Sequence, residues 1–282
     1  MIVGHEKNLG IIRELFNRET ISLCFSGKEG IGKKTIALEL ISHEIGKVDG
    51  EAVHPDLFFI KPSSNMIKLD SIRALIEFAS LKSYSGGRKF ALIDGAHLMN
   101  RESQNALLKL LEEPPIGMVI ILITDKYESL LPTIRSRLLN IRFNPLSDDE
   151  VEKILHQKPA KEILELAGGS AGLAQKYLNT SLSDLKDFMM AFILRDPIKY
   201  TKEELEVDQF MTFTSYTICV LKDALKVKGG DDARLDDTMI AIKKGELTRD
   251  KIISLLKTLD SARKAYLGNA NKRLLLADLF IS

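Results

Sequence analysis

The chain has 282 residues, 45% of them hydrophobic and 28% charged, with 40 Lys and Arg against 39 Asp and Glu and a formal net charge of +1. At roughly 100–200 residues per domain, this length allows two or three domains, each able to bury a core. A near-neutral balance speaks against a free-standing DNA binder, whose phosphate contacts call for a basic excess. The isolated cysteines Cys24 and Cys219 offer neither a disulfide framework nor a cysteine zinc site.

The first half alternates strand-like and helix-like segments. Ile21 to Phe25 is a short apolar run that meets a glycine-rich turn, and Thr35 to Ile45 follows with helical spacing of Ile36, Leu40 and Ile41. Further on, Leu57 to Ile60 reads as strand, Leu69 to Ser80 as helix and Phe90 to Ile93 as strand. Arg101 to Glu113 reads as a helix stopped by Pro114-Pro115, and Met118 to Thr124 and Leu139 to Phe143 as strands. This alternation predicts an α/β layer with a mainly parallel sheet.

The texture changes near residue 145. Ser147-Asp-Asp-Glu150 is a capping box that opens a helix from Asp148 to His156, with a small helical unit to about residue 180 turning at Gly168-Gly169-Ser170. From Leu182 onward only helices are expected: 182–194, 202–227, 232–244, and 250 to the end, interrupted near Gly268. The apolar positions Phe210, Phe213, Val220, Leu221, Ile252, Ile253, Leu255, Leu256 and Leu274 to Leu276 read as bundle core. The plan is an α/β domain over 1–145, a small helical domain over 146–181 and a helical domain over 182–282. The longest apolar run, Met118 to Ile123, falls short of the ~20 residues a membrane helix needs. A signal-peptide pattern is also missing, so a cytoplasmic location without membrane anchorage is expected.

Gly27-Lys-Glu-Gly30-Ile-Gly32-Lys33 occupies the strand-to-helix position that a phosphate-binding loop requires. Its glycines let backbone N–H groups close around phosphate oxygens, while the helix start and Lys33 supply positive potential. The hydroxyl that should hold magnesium directly after the lysine is replaced by Lys34, and Thr35 comes one residue, about 100° of helix rotation, too late. Phe90 to Asp94 is an apolar strand that delivers a carboxylate at its end, but Gly95 stands where an acid would orient the attacking water. His97 reads as a surface or helix-capping residue.

Asn105-Ala-Leu-Leu-Lys109-Leu-Leu-Glu-Glu113-Pro-Pro115 resembles the signature of bacterial DNA polymerase III clamp-loader subunits, members of the AAA+ family. The resemblance extends to Ile2-Val-Gly4-His5-Glu6, His54-Pro55-Asp56, Ile72-Arg73 and Leu131-Pro-Thr-Ile-Arg135-Ser136-Arg137. It continues in Asn269-Ala-Asn271-Lys-Arg-Leu-Leu-Leu276, which looks like the last collar helix of the delta-prime type. It implies an AAA+ phosphate-loop domain with a parallel sheet, a helical lid domain and an all-α collar. It places Thr124 as the first sensor of nucleotide, and Ser136-Arg137 as the motif whose arginine enters the ATP site of the neighbouring subunit. Arg137 could also be an ordinary surface salt-bridge residue, and Arg135 reads as structural. Two family features are missing: no arginine follows Gly169-Ser170, and without cysteines between Cys24 and Cys219 the four-cysteine zinc module is lost.

The resemblance therefore implies a non-hydrolysing, stator-type ring member that gives Arg137 in trans, with Ser136 beside it. The degenerate phosphate loop (Gly27, Gly30, Gly32, Lys33, Thr35), Asp94 and Thr124 form the nucleotide site. No cofactor is required, no zinc or other metal is expected, and passive binding of ATP or ADP stays open. The implied partners are gamma/tau motor and delta subunits in a pentameric ring, with the sliding clamp and primer-template DNA reached through the complex. Two other readings remain: a working phosphate-loop ATPase of motor type, with Thr35 replacing the missing hydroxyl, and a helical adaptor keeping this ancestry as scaffold.

Overall fold

The computed structural model describes residues 2–46, 54–62, 66–195, 205–267 and 272–281. Two compact units emerge: Met1–Lys158 with Gly168–Leu173, and Pro159–Ala167 with Ala174–Ser282.

In the first unit α1 (Glu6–Phe16) precedes β1 (Ile21–Ser26), α2 (Lys33–Ile45), β2 (Leu57–Ile60), α3 (Leu69–Ser80) and β3 (Lys89–Ile93). Then come α4 (Arg101–Glu112), β4 (Met118–Thr124), the short α5 (Pro132–Arg135), β5 (Leu139–Arg142) and α6 (Asp148–Leu155). The five strands form one all-parallel sheet in the order β2-β3-β4-β1-β5. Every residue of β3 and β4 is buried, because a parallel sheet is covered on both faces and its central strands must be apolar on both sides. Alternate residues part accordingly. Val119, Ile121 and Ile123 pack with Leu9, Ile12, Phe25, Ile36 and Ile41 on one face, and Ile120 and Leu122 with Cys24, Ile72, Leu75 and Leu107 on the other. The edge strand β5 buries only Ile141.

The expected parallel α/β layer is present, with element ends within about two residues of expectation. Helix α1 was not anticipated: Leu9, Ile12 and Phe16 give it a buried stripe at helical spacing. The capping box is formed, with Ser147 Oγ accepting from Glu150 N and Glu150 Oε2 accepting from Ser147 N. Helix α4 is capped by Asn100, whose side chain accepts from Ser103 N at 2.8 Å.

His54-Pro55-Asp56 serves the loop between α3 and β3. The buried Asp56 carboxylate accepts from Tyr84 N at 2.7 Å, Ser85 N at 2.9 Å and Ser85 Oγ at 2.6 Å. Burial raises its pKa, but these hydrogen bonds, those of Ser85 foremost, outweigh burial and hold it below the usual carboxylate range. Removing a charged acceptor strands these donors, so Asp56→Ala is expected to cost roughly 1.5–3 kcal/mol in urea unfolding at neutral pH. A depressed folded pKa stabilises fully above the unfolded value of about 3.9 and loses that contribution as pH falls through the folded value. The gap between wild type and variant should therefore close below pH ~4; a gap independent of pH would rule out the carboxylate as its source.

Cys24, wholly buried in β1, has its thiol pushed up to about 12 by burial, against the pull of Lys33. Thiol titration at pH 8 should label it only after denaturation. Fast labelling in the native protein would mean that β1 is accessible.

The second unit is helical: α7 (Lys161–Ala167), the later part of α8 (Ala171–Leu178), α9 (Leu182–Leu194), α10 (Val207–Val227), α11 (Asp236–Gly245), α12 (Arg249–Leu267) and α13 (Lys272–Ile281). Helix α10 packs against α9, α11 and α12. Phe210 stacks on Tyr266 with ring centroids 3.9 Å apart, and Tyr266 donates to Leu205 O at 2.6 Å. Asp223 Oδ2 accepts from Arg234 N, Leu235 N and Thr238 Oγ1, tying α10 to the start of α11. Of the expected bundle core, Phe210, Phe213, Val220, Leu221, Ile252, Leu255 and Leu276 are buried, but Ile253 and Leu274 are exposed. Each exposed residue belongs to a run of consecutive apolar residues, which one buried face of a helix cannot accommodate. Helix α10 begins at Val207 and α11 at Asp236, later than expected. Residues 202–204 and the break near Gly268 lie outside the described residues.

Candidate functional site

The carboxyl ends of β1, β3 and β4 converge on the glycine loop, the edge where open α/β sheets place their ligands. Gly27 N donates to Thr124 O at 3.2 Å, locking the loop to the end of β4. Gly27, Gly30 and Gly32 all have positive φ (146°, 73° and 97°), so the tight loop needs glycine at these points. His5, in the left-handed region, donates from Nε2 to Ile31 O at 3.0 Å and meets Phe143 edge-on. The opening Gly-His-Glu thus fastens the start of α1 to the loop.

A second strap comes from Gly168–Leu173. Gly172 N donates to Gly30 O at 2.9 Å, and Lys28 Nζ donates to Gly168 O at 3.1 Å. The approach is so close that a Cβ on Gly172 would lie 3.0 Å from Gly30 Cα, and one on Gly30 only 2.3 Å from Ser170 Oγ. This strap includes the segment where the resemblance would put the missing second-sensor arginine.

Lys33 is buried, its Nζ donating to Gly27 O at 2.7 Å and Lys28 O at 2.6 Å. Burial lowers its pKa, opposed by the carboxylates of Asp125, Asp94 and Glu29. Lys34 places Nζ 3.5 Å from Asp94 Oδ2 and rests on the Phe59 ring at 5.1 Å. Thr35 is exposed on α2.

Thr124, buried at the end of β4, accepts from Lys126 N at 3.1 Å and lies 3.3 Å from His97 Nδ1. His97 Nδ1 in turn donates to Asp125 Oδ1 at 2.9 Å. This bond from His97 holds the Asp125 carboxyl below the usual carboxylate range. The sequence reading of His97 as a surface or capping residue is therefore corrected: it sits on a short turn, Ala96–Leu98, that carries it across to the end of β4. Asp125 was not anticipated. Its signal was its place directly after Thr124, where a residue must lie on the same sheet edge.

The structure thus brings Gly27, Gly30, Gly32, Lys33, Asp94 and Thr124 together and adds Lys34, His97 and Asp125. Ser136 and Arg137 belong to a different set of contacts, at the end of α5. Arg137 NH2 lies 2.6 Å from Glu112 Oε1 at the end of α4, and NH1 donates to Thr133 O at 2.8 Å and Ser136 Oγ at 3.2 Å. Its guanidinium is partly exposed and held in one orientation. Arg135 pairs with Glu128 and covers the Tyr127 ring, a structural role.

A family model described as "DNA polymerase III, delta subunit" matches residues 13–147. The chain is 38% identical over 133 residues to the DNA polymerase III subunit delta-prime of Pseudomonas aeruginosa, a match covering 44% of this chain and 40% of that protein. With the delta-prime subunit of Bacillus subtilis it shares 24% identity over 94% of this chain and 91% of the other. The chain is similar to bacterial DNA polymerase III delta-prime subunits. A solved DNA polymerase III gamma subunit-related protein from Thermotoga maritima shares its fold over 98% of both chains, with a TM-score of 0.61 at 21% identity. The match to the family model, residues 13–147, falls on the α/β unit with its strand order β2-β3-β4-β1-β5.

Magnesium does not fit this site as built. The position for its hydroxyl ligand is Lys34, whose ammonium pairs with Asp94. Among the described residues no group of three or more His, Cys, Asp or Glu side chains could hold a metal.

Proposed function

We propose that this delta-prime relative is a non-hydrolysing, stator-type subunit of a bacterial replicative clamp loader. Its partners are gamma/tau and delta subunits in a pentameric ring, through which it serves the sliding clamp and primed DNA. The observation that carries this is the Lys34–Asp94 pair, which sets a fixed cation against the carboxylate that hydrolysis would need for a metal. Gly95 offers no acid to orient water, and Gly172 touches the loop through backbone alone.

What the chain supplies instead is Arg137. A planar, permanently charged guanidinium can stabilise negative charge that builds on the γ-phosphoryl oxygens of a nucleotide held by the next subunit. The ring would use ATP in its motor subunits to hold the clamp open and release it on DNA when hydrolysis is triggered. The near-neutral charge suits a subunit that meets DNA only in company.

Purified chain is expected to show no ATP turnover, and added gamma/tau and delta subunits should restore a DNA-stimulated rate. Turnover by the chain alone that disappears with Lys33→Ala would replace this reading with a motor-type ATPase.

A further inference from the structure

The two sides of the Arg137 guanidinium are held by different kinds of acceptor. NH1 donates to two neutral oxygens of its own turn, Thr133 O at 2.8 Å and Ser136 Oγ at 3.2 Å. That turn is itself fixed: Arg137 N donates at 3.1 Å to the carbonyl of Ile134, a wholly buried residue, and Ser136 Oγ donates to Thr133 O at 3.1 Å. NH2 meets a charge instead, with Glu112 Oε1 2.6 Å away at the end of α4. Helix energetics give no reason for an acid at that point. Glu112 is the last residue of α4 and Glu113 caps it, so both carboxylates stand at the negative end of the helix dipole, where a cation is favoured and an anion is not. What the position offers Glu112 is Arg137, and the pair is partly open to solvent on both members.

We propose that Glu112 is an exchangeable latch for Arg137: its carboxylate occupies the NH2 side of the guanidinium until phosphoryl oxygens of a nucleotide in the neighbouring subunit take its place. The neutral NH1 contacts keep the arginine aimed through the exchange, because they do not depend on Glu112. The proposal rests on reading Arg137 as acting in trans, and it adds a positioning residue to that role. A latch has to yield, and a partly exposed ion pair is weak enough to do so, whereas charge-assisted bonds from a guanidinium to phosphate oxygens are among the strong ones. Until the exchange, the carboxylate neutralises the guanidinium, so the chain does not offer a bare cation to other anions.

Steady-state ATP turnover of the complex reconstituted with gamma/tau and delta subunits tests this, read on the part of the rate that Arg137→Ala removes. Glu112→Gln removes the competing charge and should lower the KM for ATP of that part by about two- to fivefold, the range an exposed ion pair can supply, with the change falling on KM and not on kcat. The urea midpoint of the isolated chain should stay in place. In an Arg137→Ala background Glu112→Gln should have no effect on KM, since the latch acts only through the arginine. An unchanged KM, a KM that rises as kcat falls, or the same shift in the Arg137→Ala background overturns the proposal. If Arg137→Ala removes no part of the rate, the role in trans and the latch fall together; if it does and KM ignores Glu112→Gln, the latch alone falls, so the two failures are distinguishable.

Discussion

With Arg137 acting in trans as proposed above, its replacement by alanine is expected to lower ATP turnover by about 10³-fold or more at that proposed interface, the scale on which an arginine supplied in trans acts. Interfaces formed by other subunits should keep their rates, so the total falls by that one share. Arg137→Lys should not rescue it, because an ammonium cannot reproduce the planar fork. The isolated chain should barely notice the change: the Arg137–Glu112 pair is about 34% and 47% exposed, and exposed pairs contribute ~0–1 kcal/mol. Loss of turnover with unchanged urea unfolding therefore separates this role from a structural one. Glu112→Gln keeps a hydrogen-bond acceptor and should leave turnover largely intact. An unchanged rate in the reconstituted complex with Arg137→Ala would leave the arginine as a surface ion-pair residue.

Gly169→Ala is expected to be strongly destabilising. Gly169 has φ +76°, where an alanine is strained by ~1–2 kcal/mol. Its Cβ would lie 2.5 Å from Leu146 O and 2.6 Å from Pro145 Cβ, so backbone must move, and Leu146 N already donates to Gly169 O at 2.9 Å. Overpacking of this kind adds typically 1–3 kcal/mol. A total of roughly 2–5 kcal/mol should appear as a lower urea midpoint for the N-terminal unit. Gly10→Ala, whose Cβ would meet nothing within 4 Å inside α1, should instead stabilise slightly. Equal effects at the two sites would mean that the strap tolerates displacement.

The strands were legible because β1, β3 and β4 are buried on both sides and so nearly unbroken in apolar residues. The phosphate loop was legible because glycine spacing reports backbone need directly. Helix α1 escaped because its opening residues drew attention as a motif, though its Leu9, Ile12 and Phe16 stripe was available. His97 and Asp125 could not be paired from sequence, since they are far apart along the chain and meet only when β3 and β4 lie side by side. Lys34 was visible as a missing hydroxyl, but its partner Asp94 was not, because periodicity says nothing of where a long side chain ends.

The backbone contact between Gly172 and Gly30 has a further consequence for reversibility. An arginine cannot simply be reintroduced at 172, since its Cβ would meet Gly30 Cα at 3.0 Å before its guanidinium reached any phosphate. Restoring the metal hydroxyl at 34, an acid at 95 and an arginine at 172 would therefore not add step by step, because the last change shifts the loop on which the first two act. A turnover-competent site here would thus need several changes made together, because each acts on the same packed loop.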